Sequence, residues 1–238
     1  MNRIRIHIPA QSLIHRPHVI MILQAVALVL GCLVFSGTAL GRDDGPKADR
    51  LARLESRINA YRVSPDYTDD RYGLITVKAA VSAIRTGSGG IGACLVDAVT
   101  GQVVETGRNR QFSPHFRSDL HAEMDLLNRY ENRVQKNNSP KTGGNPRECP
   151  NLVLISSVEP CPMCLTRIIN SGIKTVLYVV EDNEGGMVTR LEQLPPFWRK
   201  FAADREFRQA DCSPELQQIA LALFYFSHRD FARNRKKQ

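Results

Sequence analysis

Leu51, Leu54, Ile58 and Tyr61 recur at the three- and four-residue spacing of a helix face, so residues 48–62 predict an amphipathic helix. Ser64-Pro65-Asp66 ends it, and a second helix is expected over residues 74–84, before the glycine-rich turn at 87–92. The period then changes. Residues 91–97 and 102–105 read as strands, and Val99-Thr100-Gly101 between them predicts a hairpin. A helix over 119–133 comes next, then a polar stretch at 134–150 rich in Asn, Pro, Gly and Lys, which is either a lid beside a site or a surface excursion. Residues 152–156 predict an apolar strand, 161–171 a helix and 175–180 another strand. Strand, helix, strand in that order implies parallel pairing through a right-handed crossover. The remainder, 195–238, is expected to be helical: Pro195 and Pro196 open a stretch with Phe197, Trp198 and Phe201, and Leu216, Ile219, Ala220, Leu223, Phe224 and Phe226 mark the buried face of a last helix.

These elements predict an α/β fold, a three-layer α/β/α sandwich with a mixed central sheet, in which ligands sit at strand ends. The 238 residues suffice for one sizeable domain with extensions, in a globular composition without internal repeats or low-complexity tracts. Four regions are expected: a hydrophobic segment at 1–41, a linker and amphipathic helix at 42–72, a core at 73–185, and a helical extension at 186–238.

Charge adds little to this picture except at the ends. The formal net charge is +8, and Arg3, Arg5 and Arg16 are the only charged residues before Arg42, so the rest carries 29 basic against 24 acidic residues, or +5. That surface suits an anionic substrate without demanding one, and residues 229–237 concentrate positive charge. Residues 19–41 hold no charged side chain. About 20 apolar residues span a bilayer. The run therefore reads as a signal peptide or an uncleaved signal anchor, with a buried core helix as the alternative. Membrane attachment through residues 19–40 and a periplasmic or extracellular catalytic part are the corresponding expectations. A disulfide between two of Cys94, Cys149 and Cys212 would suit such a compartment.

The chemistry concentrates in two short motifs. His121-Ala122-Glu123 lies behind the cap-type residues Ser118 and Asp119, and about forty residues later comes Glu159-Pro160-Cys161-Pro162-Met163-Cys164. Cys161 and Cys164, three apart at a helix start, put both sulfurs on one face, where helix amides favour thiolates. His121, Cys161 and Cys164 are three candidate ligands. Catalytic zinc takes three protein ligands and keeps a fourth position for water, whereas structural zinc closes all four. Glu123 is not needed as a ligand and is free to move protons. Alone, His-x-Glu would be an exposed helix face and Cys-x-x-Cys a redox pair or half a zinc knuckle; together, in this order, they describe a hydrolytic metal site.

Over residues 73–185 the chain resembles the zinc-dependent cytidine and deoxycytidylate deaminase superfamily, whose signature is His-x-Glu followed by Pro-Cys-x-x-Cys. Pro162 after the first Cys is similar to the branch holding tRNA adenosine, guanine and cytosine deaminases. The resemblance implies Zn2+ on His121, Cys161 and Cys164, a zinc-bound hydroxide as nucleophile, and Glu123 as proton shuttle. It also implies substrate contacts from Asn109, in Gly107-Arg108-Asn109, from the amide of Ala122, and from Asp182, although the neighbours Asn183, Gly185 and Gly186 favour loop chemistry for that acid. A cytidine deaminase-like fold and a homodimer are further implications. The expected activity is deamination of a nucleobase or nucleoside. The alternatives are a tRNA adenosine deaminase-like editor acting on RNA, a secreted nucleic-acid deaminase, and a noncatalytic zinc-binding module.

Overall fold

In the computed structural model, which describes residues 46–137 and 149–235, the alternating segment after residue 91 folds back on itself as a hairpin. Its strands are β1 (Gly92–Asp97) and β2 (Val103–Arg108), antiparallel, with Ala93 opposite Gly107 and Leu95 opposite Glu105. Asp97 makes the turn by accepting hydrogen bonds from the amides of Val99 (2.8 Å) and Thr100 (3.0 Å). On the other side of β1, β3 (Cys149–Val158) runs antiparallel, and β4 (Ile173–Val180) is parallel to β3. The helix between them, α4 (Pro162–Ser171), supplies the expected crossover.

Residues 195–238 are not wholly helical. A short strand, β5 (Glu206–Gln209), extends the sheet parallel to β4, giving the order β2-β1-β3-β4-β5. Four residues are too few for periodicity to announce a strand; the unpaired backbone along β4 recruits them. The helices flanking β5 are α5 (Pro196–Ala202) and α6 (Pro214–Arg235).

Both faces of this mixed sheet are covered because both faces of its central strands are apolar. Cys94 and Val96 of β1 face one way, toward Ile58 of α1 (Lys47–Ala60), Val77 and Ala80 of α2 (Asp70–Arg85), and Leu216, Ile219 and Leu223 of α6. Ala93 and Leu95 face the other way, toward Leu126 and Leu127 of α3 (Ala122–Asn137) and Ile168 of α4. Beyond α4, Leu165 and Ile169 pack with Tyr178, Leu194 and Trp198, which seats α5. Cys94 and Cys212 are buried free thiols, so they do not form the disulfide considered above; the side chain of Cys149 is outside what the structure describes.

The expectation of a membrane-anchored or exported catalytic part is corrected. Among the described residues no helix is long and apolar enough to cross a membrane. The 22-residue α6 carries Glu215, Arg229, Asp230, Arg233 and Arg235, charges that a bilayer core penalises. The apolar run at 19–41 lies outside the described residues, as do residues 138–148 of the polar stretch.

A buried acid knots α1, α2 and α6 together. Asp70, fully buried, accepts hydrogen bonds from the Tyr61 hydroxyl (2.6 Å), the Ser64 amide (2.9 Å) and the Ser213 amide (2.9 Å). Burial, reinforced by Asp70, pushes the Tyr61 phenol up to about 12, so it remains a neutral donor. Next to it, Asp69 accepts from the Arg208 guanidinium and the Asp211 amide, both at 2.8 Å, which ties the end of β5 to the start of α2. Asp70→Ala strands its donors in the interior and should lower stability by about 3 kcal/mol, whereas Tyr61→Phe should cost about 1 kcal/mol. Urea unfolding of the two variants against the parent chain measures both.

Candidate metal and catalytic site

Two helix starts converge at one end of the sheet, and local chemistry fixes each. α3 lies unusually close to β2. A Cβ on Gly107 would stand 2.4 Å from the carbonyl oxygen of Ala122 and 2.5 Å from the Cβ of Leu126, so only glycine permits this approach. Asp125, buried in the first turn, locks the contact by accepting from the Arg108 amide and the Arg110 guanidinium, each at 3.2 Å. Its own amide donates to the carbonyl of His121 at 2.9 Å. α3 begins at Ala122, so His121 sits immediately before the helix rather than within its first turn.

At the other start, β3 runs into Glu159-Pro160-Cys161. Cys161 is the extended N-cap of α4 (φ −70°, ψ 168°), and Pro162 occupies the first turn, where its missing N–H costs nothing. Glu159, buried, holds this junction from behind. Its carboxylate accepts from the amides of Asp182 (3.1 Å) and Thr189 (2.7 Å) and from the Thr189 hydroxyl (3.0 Å). A Cβ on Gly186 would stand 2.3 Å from that carboxylate, so the loop can close over it only with glycine there.

One donor atom from each of His121, Cys161 and Cys164 lies within 4.8 Å of the other two, and His121 Nδ1 is 3.6 Å from Cys161 Sγ. Zinc at its usual bond lengths in a tetrahedron spaces N and S donors by about 3.5 Å, so the triangle fits the ion with little adjustment. Among the described residues no fourth His, Cys, Asp or Glu joins the group. A water can therefore complete the tetrahedron.

The electrostatics suit a cation. Cys161 is drawn down to about 4, first by a hydrogen bond from the Cys164 thiol and then by His121 and the Cys164 amide, against burial. That bond, followed by burial, raises Cys164 well above an ordinary thiol. The two opposite shifts describe one proton resident on Cys164. His121 is raised chiefly by its hydrogen bond to Cys161.

Glu123 lies against this triangle. Its side chain is 3 % exposed, within hydrogen-bonding reach of the Cys164 thiol, and Oε1 accepts from the Ser156 hydroxyl at 3.0 Å. Burial, then the negative charge of Cys161, raises its carboxyl above the usual range. A buried acid beside a metal triangle can both take up and return a proton.

The remaining expected residues divide. Asn109, 3 % exposed, ends β2, and its Oδ1 accepts from the Gln111 amide at 2.9 Å. The next residue, Arg110, donates its amide to the carbonyl of Leu120 at 2.9 Å, which lays Asn109 and His121 on adjacent stretches of chain. Ala122, fully buried, is the first residue of α3, where an amide has no acceptor within the helix. Asp182 is elsewhere engaged: its Oδ1 accepts from the amides of Glu184 (3.1 Å) and Gly185 (2.9 Å), closing its own loop. Ser156 and the bracing role of Glu159 went unread in the sequence. The available signal was a hydroxyl pair, Ser156-Ser157, inside an otherwise apolar strand.

A family model for the cytidine and deoxycytidylate deaminase zinc-binding region matches residues 67–180. Residues 67–180, the stretch that holds all three donors, match this family's zinc-binding region. Among solved structures, this chain is similar to one described in a study of A-to-I editing by tRNA:A34 deaminases, with 22 % identity, 59 % of this chain and 97 % of that chain covered, and a TM-score of 0.47. It is also similar to guanine deaminase from Nitrosomonas europaea, with 19 % identity, 74 % and 92 % covered, and a TM-score of 0.49. No curated protein matches the sequence. The family's zinc-binding region and the donor triangle agree on Zn2+ as the cofactor.

Loading zinc must displace the proton held by Cys164, while Cys161 is already a thiolate above about pH 4. Affinity should therefore rise with pH, about tenfold per unit where His121 is already neutral and about a hundredfold per unit at lower pH, where His121 must lose its proton too. Competition with a chromophoric chelator across pH measures this slope, and Cys164→Ala should bring zinc content well below one per chain.

Proposed function

We propose that this chain catalyses zinc-dependent hydrolytic deamination of a nucleobase or nucleoside of guanine, cytosine or adenine type. His121, Cys161 and Cys164 hold the metal, and Glu123 moves the protons. The observation that carries this reading is the buried carboxylate of Glu123 beside a three-donor triangle. A purely structural zinc site has four protein ligands and no use for an adjacent desolvated acid.

When bound, zinc acts as a Lewis acid and brings the pKa of a water near neutrality. Glu123 would take a proton from water at the site and hand it to the ring nitrogen of the base, leaving the water oxygen free to bond to the amine-bearing carbon. Glu123 would next carry the remaining hydroxyl proton of the adduct to the exocyclic amine, so that the carbon–nitrogen bond breaks, ammonia leaves and a carbonyl stands in its place. Its raised pKa suits both halves of this exchange, since an acid that is too strong would keep the water proton poorly. Asn109, at the end of β2, and the amide of Ala122, at the start of α3, position the base.

A second reading, an editor of adenosine in tRNA, draws on residues 229–237, where Arg229, Arg233, Arg235, Lys236 and Lys237 gather near the end of the chain. RNA binding through such a segment would weaken steeply with salt. The two readings share the metal site and differ in the substrate.

Ammonia release should be assayed with the zinc-loaded full chain across guanine, adenine, cytosine, their nucleosides and tRNA. One free base or nucleoside is expected to turn over, and Glu123→Gln should retain zinc while losing at least about a thousandfold in kcat, the scale on which positioned proton transfer acts. Turnover on tRNA alone would establish the second reading. Full zinc content without turnover of any substrate would leave a noncatalytic zinc module.

A further inference from the structure

The hydroxyl of Ser156 stands in a layer that has no other use for it. Ser156 is fully buried on β3, the central strand, opposite Ala93 of β1 and Tyr178 of β4. Because side chains on a strand alternate, Ser156 shares its face with Leu154, which packs against α3 among Ala93, Leu95, Leu126 and Val176. An alanine would fill nearly the same volume there. A buried hydroxyl without a partner is destabilising, and the partner of this one comes from the helix across the layer: Oγ donates to Oε1 of Glu123 at 3.0 Å. The adjacent serine does a different job. Ser157 faces the opposite side, and its Oγ accepts from the Gly92 amide at 3.1 Å, a bond that only braces β1.

We infer that Ser156 is a positioning residue for the reaction, holding one oxygen of Glu123 so that the carboxylate plane is set and the other oxygen is presented to water and substrate. The inference rests on the proton-transfer role proposed for Glu123. A hydroxyl suits the task better than a cation would. Lysine or arginine at this place would add a full charge to the cavity and resist protonation of Glu123, whereas a hydroxyl is neutral and can donate or accept. Glu123 is the third link of a chain running β3, Ser156, Glu123 and the metal triangle, so the central strand of the sheet sets the angle of the carboxylate.

The test compares Ser156→Ala with Ser156→Thr, which restores the hydroxyl, in the zinc-loaded full chain. Ser156→Ala should bind one zinc, hold KM within about twofold and lose roughly 10- to 100-fold in kcat, since orientation acts on the transition state; Ser156→Thr should regain most of that loss. A second readout is independent of turnover. Infrared spectra of the metal-free proteins, with Glu123→Gln identifying its carboxylate band, should show that band displaced in Ser156→Ala and returned in Ser156→Thr. Unchanged kcat in Ser156→Ala, or a loss explained by missing zinc, would overturn the inference. If the parent chain turned over nothing, the proposed activity would fall, and the infrared band would still decide whether Ser156 orients Glu123: an unmoved band in Ser156→Ala ends the idea.

Discussion

Close contact between α3 and the edge strand β2 governs this molecule. At Gly107 the backbone of the strand touches the backbone of the helix, with no room for a methyl group between them. A helix held that near cannot tilt or slide without collision, so its N-terminus is placed to within a small distance, and His121 with it. Asp125 adds a polar lock by joining the strand end to the first turn. A longer side chain at position 107 would push α3 outward, and the histidine would part from the thiolates before the rest of the sheet noticed.

The cysteines answer to a different constraint. They ride on a β–α junction whose strand is the central member of the sheet and whose turn is braced by Glu159. Glu159 is an acid used for architecture: every bond described for its carboxylate goes to the loop 182–189. Glu123 is an acid set against the donor triangle, between the Ser156 hydroxyl and the Cys164 thiol. The contrast shows how burial alone does not define a role. Fixed amides tie the Glu159 carboxylate to one loop, while Glu123 meets a hydroxyl and a thiol, groups that can exchange protons.

Away from the site, Asp69 and Asp70 serve the same architectural purpose at the opposite face. They draw the end of α1, the start of α2 and the link between β5 and α6 onto two carboxylates. The consequence reaches the active region indirectly, because α2 and α6 form the layer that supports β1, β3 and β4 from below. A sheet supported on one face by apolar packing and a carboxylate knot can hold the two helix starts of the donor triangle firmly on the other.

Local patterning determined much of this protein without the structure. Helical spacing in 48–62, the hairpin turn and the strand–helix–strand order around the cysteines are short-range properties, and the three donors with Glu123 were legible because metal chemistry restricts residue types and spacing so tightly. Other features had no local signal. β5 exists because β4 offers an unpaired edge, not because four residues insist on a strand. For Asp182 the sequence offered both a pocket role and loop chemistry, and its Oδ1 accepts from the amides of Glu184 and Gly185 in its own loop. Ser156 read as one more small residue in an apolar run until α3 was laid across it. Residue type and spacing set which atoms can bind a metal; which hydroxyl meets which carboxylate depends on how two distant segments pack, and only the tertiary structure decides that.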